Sequence, residues 1–338
     1  MAGLVNMKTL YFAAVVLALY FFIMDIILLH HIQAWSPVPG RQVKPPAMYD
    51  PFKPLSVKHI MIDHMTNYVY GPLSEYFNFF SNFSDIFPWI TPNMISICHM
   101  ITSVIAAKLI ADDNLSCRQI GALVFEFRTY LDSLDGVVYR AHAKNKQYAS
   151  NWGTLGYNVD MSADILAGGV LFLALTYRIW RNTPESNYSQ IESSAAEQGL
   201  ATKSSNGASD QKIPRKTLLI YFVLFGLRLL LSAYFWDHYV HKYHNLLEGN
   251  DATQKTQALR SDLAHSAPTL IIWWMWRIGN SGAFLEFIIA SVVFDKVWEF
   301  VRFTHYVGWV FLITLIVASQ IHTVEIASAI SAVASKAM

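Results

Sequence analysis

Charge is scarce in this chain and cysteine scarcer. Of 338 residues only 14% are Asp, Glu, Lys or Arg, where a soluble domain carries about 25%. The 25 basic and 24 acidic residues leave a net charge of +1. That balance argues against nucleic acid as the main partner, since duplex binding needs a concentrated basic face. The two cysteines, Cys98 and Cys117, can build neither a disulfide framework nor a thiolate metal site within one chain. Internal repeats are also missing, which argues against a solenoid.

In their place stands apolar surface. Hydrophobic residues make up 54% of the chain, with 10 Trp, 17 Tyr and 21 Phe, an aromatic excess typical of membrane interfaces. A membrane-crossing helix needs about 20 mostly apolar residues. Candidate spans occur at 9–29, 94–111, 119–139, 158–178, 216–236, 281–301 and 305–323. The expected architecture is therefore all-α: a polytopic membrane bundle of six core transmembrane helices after one N-terminal anchor (1–31). The first span is longer than a signal-peptide core and lacks a small-residue cleavage site, so it reads as uncleaved. Residues 32–91, Pro-rich and then aromatic, read as an interfacial segment. The stretch 271–279, "IIWWMWRIG", is too short to cross alone, and Trp273, Trp274 and Trp276 read as interface anchors. The core region runs over 92–325, interrupted by a flexible loop at 182–213 rich in Ser, Ala, Gly and Gln, and 326–338 forms a tail. Arg178, Arg181, Lys203, Lys212, Arg215 and Lys216 frame that loop and place it in the cytosol. Alternating crossings then put 32–91 in the lumen. Of the sequons at Asn82, Asn114 and Asn187, only the first is then lumenal.

The chemistry lies where the charges concentrate. "LDSLDGVVYR" (131–140) closes one span and "GYNVDMSAD" (156–164) opens the next. Asp132 and Asp135 are three residues apart, Asp160 and Asp164 four, so each pair shares a helical face. One turn-back brings all four together, and such carboxylates repel strongly unless cations neutralise them. An oxygen-only set favours Mg²⁺ or Mn²⁺. Two such ions about 3.5–4 Å apart would clamp a diphosphate for in-line displacement. Gly136 and Gly156 leave room for close backbone approach to phosphate, and Arg140 can bind phosphate through two parallel hydrogen bonds.

These residues resemble the signature of the CDP-alcohol phosphotransferases, Asp-x2-Asp-Gly-x2-Ala-Arg-x8-Gly-x3-Asp-x3-Asp, and "TPNMIS" (91–96) resembles the segment that opens the family's first core span. Two departures stand out: Tyr139 replaces the family's Ala, and 15 residues separate Arg140 from Gly156 where the family has eight. The resemblance implies that Asp132, Asp135 and Asp160 bind metal and that Asp164 acts as ligand or general base. It also implies that Asn93, Gly136, Arg140 and Gly156 hold the CDP moiety, and that the core region 92–325 is the transferase domain, working as a homodimer. Within the family, the N-terminal anchor, the aromatic 32–91 segment, the long motif gap and a lumenal site are similar to the insect-type ceramide phosphoethanolamine synthases. That likeness implies CDP-ethanolamine as donor, ceramide as acceptor, Mn²⁺ as the metal and the Golgi membrane as the location. The motif itself specifies neither ceramide nor ethanolamine. Diacylglycerol as acceptor, CDP-diacylglycerol as donor, or a non-enzymatic divalent-cation transporter remain as alternatives. The last predicts acidic clusters along further spans, and none is legible outside 126–164.

Other polar residues carry two readings each. His142 follows Arg140 closely and is either a catalytic proton-handling group or a solvated helix end. His238, His241 and His244 beside Asp237 read as a polar helix end in water, or one of them as a proton acceptor or partner of the substrate phosphate. Glu126, Arg128, Arg228 and Glu286 lie within spans and are expected to face the bundle and pair.

Overall fold

The computed structural model describes residues 4–37, 55–143, 153–182, 215–249 and 254–335. Among them the fold is all-α, as expected for a multi-pass membrane protein. The helices are α1 (Met7–Ala34), α2 (Val57–Met61), α3 (Gly71–Ser81), α4 (Phe83–Ile86), α5 (Pro92–Ile110), α6 (Leu115–His142) and α7 (Leu155–Asn182). They continue with α8 (Arg215–Leu247), α9 (Gln254–Ala264), α10 (Ala267–Gly279), α11 (Ser281–Val293), α12 (Val297–Phe303) and α13 (Trp309–Ser335). Wider π-type turns occupy Thr66–Tyr70 and Thr304–Gly308. Five stretches of the described chain are long and apolar enough to cross a membrane: α1, α5, α7, α8 and Val297–Val333. Helix α6, as long as α7, is not among them: Glu126, Arg128, Asp132 and Asp135 crowd the span expected at 119–139. The loop expected at 182–213 and the sequon at Asn187 lie, apart from Asn182, outside the described residues.

Three expectations need correction. The span placed at 281–301 is two helices, because α11 stops at Val293 and Asp295 takes a left-handed conformation (φ 55°). The cause is electrostatic: Asp295 accepts from Arg118 at 2.7 Å and from Arg178 at 3.3 Å, pinning the chain beside the start of α6 and the end of α7. The span placed at 305–323 belongs to a longer helical run, and residues of the expected tail remain helical to Ser335. Finally, Trp273 and Trp276 are not interface anchors. Both are fully buried, and Trp276 Nε1 donates to Ser319 Oγ at 2.8 Å, while Trp274 alone of the three is exposed.

Two large apolar cores result among the described residues, with a small third one of Ile95, Leu134 and Val138 between α5 and α6. One joins α1, α2, α8, α10 and α13 around Trp273, Trp276, Tyr239 and Tyr243. The other joins α5, α6, α7, α8, α11 and α12 around Phe125, Phe222, Phe225 and Phe284. Helices α5 and α6 are antiparallel and joined by a short turn. They approach closely at Gly121, where an added Cβ would lie 2.9 Å from Ile110.

The N-terminal helix is lipid-facing along most of its length but carries one acid, Asp25. Its carboxylate accepts from Tyr68 Oη at 2.7 Å, contacts His64 Nε2 at 2.8 Å and pairs with Arg277 at 3.3 Å. Arg277, 2% exposed, also donates to the Ile60 carbonyl at 3.0 Å and lies over the Tyr68 ring. With its amide oriented to satisfy both neighbours, Asn67 donates to His59 Nε2 at 2.8 Å and accepts from Arg277. Burial, with the charges of Arg277 and Arg140, pushes His59 down to about 3, so it stays neutral and serves as acceptor. Residues 57–70, expected to lie along the interface, are thus packed into the bundle by buried polar contacts.

Removing one partner of a buried ion pair costs about 3–5 kcal/mol, because the other charge is stranded. Arg277→Met is therefore expected to lower the melting temperature of the detergent-solubilised protein markedly and to open the 55–70 segment to protease. An unchanged melting curve would show that Asp25 does not depend on Arg277.

Candidate functional site

The site is assembled where α5 begins, α6 ends and α7 begins. Thr91 caps α5 by accepting from the Met94 N–H at 3.3 Å, and Pro92 occupies its first turn. This start fixes the face of α5 that carries Asn93, Ser96 and His99, residues spaced by three. Ser96 Oγ donates to Asp135 Oδ2 at 2.6 Å and so orients that buried carboxylate. Asn93 Oδ1 lies 3.8 Å from the Cβ position of Gly156, bringing the starts of α5 and α7 together.

One ligand atom each from His99, Asp132, Asp135 and Asp160 falls within 4.8 Å of the others. His99 is fully buried, and its Nε2 stands 3.8 Å from Asp132 Oδ1. Neither of its ring nitrogens has a hydrogen-bond partner, and Asp160 Oδ1 is likewise buried and unpartnered. Buried polar atoms are almost always satisfied, so orphaned donor atoms converging on one point fit a cation. Three carboxylates and an imidazole suit a divalent ion that accepts oxygen and nitrogen together.

The structure thus brings Asp132, Asp135 and Asp160 together and adds His99, which the oxygen-only reading of the sequence missed. Its spacing from Asn93 and Ser96 was the available signal. Asp164 stands outside this foursome, half-exposed and ion-paired with buried Arg128. Arg140 pairs with Glu75 of α3 at 2.6 Å. An added Cβ on Gly136 would lie 3.3 Å from Arg140 Nη1, so this glycine leaves room for the guanidinium to fold back along α6. His142 is exposed in the last turn of α6, about 10 Å of helix rise beyond Asp135. Lys58 of α2 was not singled out by sequence, yet its ammonium interacts electrostatically with Asp160, Asp237 and Asp132. Burial pushes it down, and those acids oppose the effect.

Among the other span charges, pairing holds for Arg128. Arg228 instead stacks on the Phe284 ring at 4.0 Å. Glu126 hydrogen-bonds both Tyr70 and Glu286, with buried Asp63 nearby. A second acidic group therefore exists, contrary to the sequence reading, because Asp63 and Glu286 are distant from 126–164 in the chain. Asp63 also caps the turn at Thr66, accepting from its N–H at 2.8 Å, which ties this group to the local fold. His244 pairs with Glu248 at 2.6 Å, and Glu248 accepts from the Val57 N–H at 3.0 Å, fastening α2 to the end of α8. His238 stacks on Tyr234. Beside the metal-ligand foursome an open groove of about 320 Å³ runs between α5 and α7, lined by Ile97, Met100, Val159, Ala163 and Leu166 with Asn158 and Ser162.

No solved structure matches the chain. A curated relative, the ceramide phosphoethanolamine synthase of Drosophila melanogaster, is 33% identical over 288 residues, covering 82% of this chain and 69% of the relative. The family model described as ceramide phosphoethanolamine synthase matches residues 47–332, a region that contains α2, the α5–α7 site and the helices packed around them. The chain belongs to the ceramide phosphoethanolamine synthase family.

Proposed function

We propose that this transferase moves phosphoethanolamine from CDP-ethanolamine to ceramide, releasing CMP, at the site formed by His99, Asp132, Asp135 and Asp160. The observation that carries the reading is the convergence of those four groups, with their unpartnered donor atoms, on the residues of the CDP-alcohol phosphotransferase motif. The family and the 33% identical relative support the choice of lipid and of transferred group.

In the reaction, the primary hydroxyl oxygen of ceramide attacks the phosphorus that bears ethanolamine, and the bond from that phosphorus to the CMP oxygen breaks. The four ligands would hold two divalent ions, which would supply positive charge against the phosphate charge that develops on transfer. The imidazole in an otherwise oxygen set favours Mn²⁺ over Mg²⁺, which tolerates only hard oxygen donors well. Asp164, ion-paired with Arg128, receives the proton of the attacking hydroxyl. Lys58 and Arg140 lie on the donor side and meet the diphosphate, Arg140 on exchanging Glu75 for it. Asn93 and Gly156 border the nucleotide. His142 lies on the solvent side, exposed in the last turn of α6. The groove between α5 and α7 receives the apolar part of the acceptor, with Asn158 and Ser162 offering hydrogen bonds to its polar head. A lumenal site in the Golgi membrane and a homodimeric assembly belong to the same reading.

Purified protein supplied with labelled CDP-ethanolamine and Mn²⁺ is expected to label ceramide in preference to diacylglycerol. Chelation should stop the reaction, and Asp135→Asn should lower it by at least about a hundredfold, beyond the effect of losing a supporting residue around a metal. Label entering diacylglycerol alone would overturn the acceptor, and cation flux without transfer would favour a transporter.

The orientation has its own test. Asn82 is exposed beside α4, at the end of the bundle that holds the site, and Asn114 starts α6 at the other end. A lumenal site is expected to give glycosylation at Asn82 and none at Asn114. The reverse pattern would place the site in the cytosol.

A further inference from the structure

Asp237 lies on α8, remote in sequence from the acidic motif, and does not belong to the foursome that could hold metal. It is nevertheless joined to the site. Tyr157, one helical turn before Asp160 on α7, donates its hydroxyl hydrogen to Asp237 Oδ2 at 2.8 Å. Residues three apart on a helix are neighbours, about 5–6 Å between Cβ atoms. Asp237 is also near enough to Lys58 for direct charge interaction, as are Asp160 and Asp132. A carboxylate and a phenol from two helices thus meet one turn from Asp160, within charge-interaction range of a primary ammonium, the protein's own Lys58.

The transferred group has matching chemistry. With its phosphorus at Asp132, Asp135 and Asp160, its ammonium lies two carbons away, a reach comparable with one helical turn of about 5.4 Å. Resting on the reaction proposed above, we infer that Asp237, held by Tyr157, is the receptor for the primary ammonium of the donor and sets the preference for ethanolamine over choline. A primary ammonium brings three N–H donors, which a carboxylate can accept. A quaternary ammonium brings none and is better served by aromatic faces. It would take the carboxylate out of water without returning a hydrogen bond. Asp237 is therefore a specificity residue, and Tyr157 a positioning residue that acts through it.

The competing explanation is that Asp237 merely holds Lys58 in place, and the experiment separates the two. The full chain is assayed with ceramide and Mn²⁺ against CDP-ethanolamine and CDP-choline, as wild type, Asp237→Asn, Tyr157→Phe and Lys58→Met. Equilibrium binding of both nucleotides is measured alongside, independent of turnover. Loss of a charge-assisted hydrogen bond corresponds to about a tenfold to hundredfold fall in kcat/KM. Asp237→Asn is expected to show that fall for CDP-ethanolamine, carried by KM and matched in binding, with CDP-choline changed less than about threefold. Tyr157→Phe should shift the same preference by a smaller factor, and it covers the case in which Asp237→Asn does not fold. Lys58→Met should weaken both donors alike through the shared diphosphate. Equal losses for both donors in Asp237→Asn, no loss for either, or a selective loss reproduced by Lys58→Met would overturn the assignment. A wild type that binds CDP-ethanolamine in an Asp237-dependent way yet transfers nothing would uphold the subsite and overturn the reaction.

Discussion

Carboxylates crowded into a low-dielectric bundle repel one another, and much of this structure is arranged around that fact. Asp132, Asp135 and Asp160 share a space of 4.8 Å with a buried, unpartnered imidazole. Such a group is stable only with cations in or around it. The surroundings answer this demand in layers. Arg128 is buried beneath the site and pairs with Asp164, Lys58 stands over it from α2, and Ser96 donates to Asp135. The Thr91 cap fixes the start of α5 at the site, and the α5–α6 contact at Gly121, toward the far end of the pair, fixes the register of the two helices.

The N-terminal third is part of this arrangement. Asp25 draws α1 onto Tyr68, His64 and Arg277, and Glu248 fixes the start of α2. Those contacts set where Lys58 points. Asp63, Glu126 and Tyr70 then link the same segment to α6 two turns before the metal ligands. The segment from α1 to Tyr70 is thus bound to the helices that carry the site. Its polar contacts are buried, so they cannot be lost one at a time without stranding a charge.

The sequence showed clearly what local spacing can show. The all-α membrane fold, the helix pair carrying the aspartates and the convergence of Asp132, Asp135 and Asp160 follow from hydropathy and from i, i+3 and i, i+4 geometry. What it hid depends on contacts between distant segments. His99 looked like one more residue in an apolar span, and only its register with Ser96 and Asn93 hinted otherwise. Lys58, Glu75, Asp63 and Asp237 meet the motif from elsewhere in the chain, beyond the reach of any periodicity. The failure at 281–301 has the same origin: Asp295 ends α11 because Arg118 and Arg178, more than a hundred residues earlier, bind it. Trp273 and Trp276 looked like interface residues by composition, yet Trp276 finds its hydrogen-bond partner, Ser319, inside the bundle.

The central claim is that His99 and the three aspartates hold divalent metal as a pair of nearby ions. Electron paramagnetic resonance of the metal-depleted full-length protein, titrated with Mn²⁺, tests it most directly. The expected result is a spin-coupled, broadened spectrum by about two equivalents, as two ions about 3.5–4 Å apart require. An isolated hyperfine sextet at every ratio, or Mn²⁺ left free in solution, would contradict it.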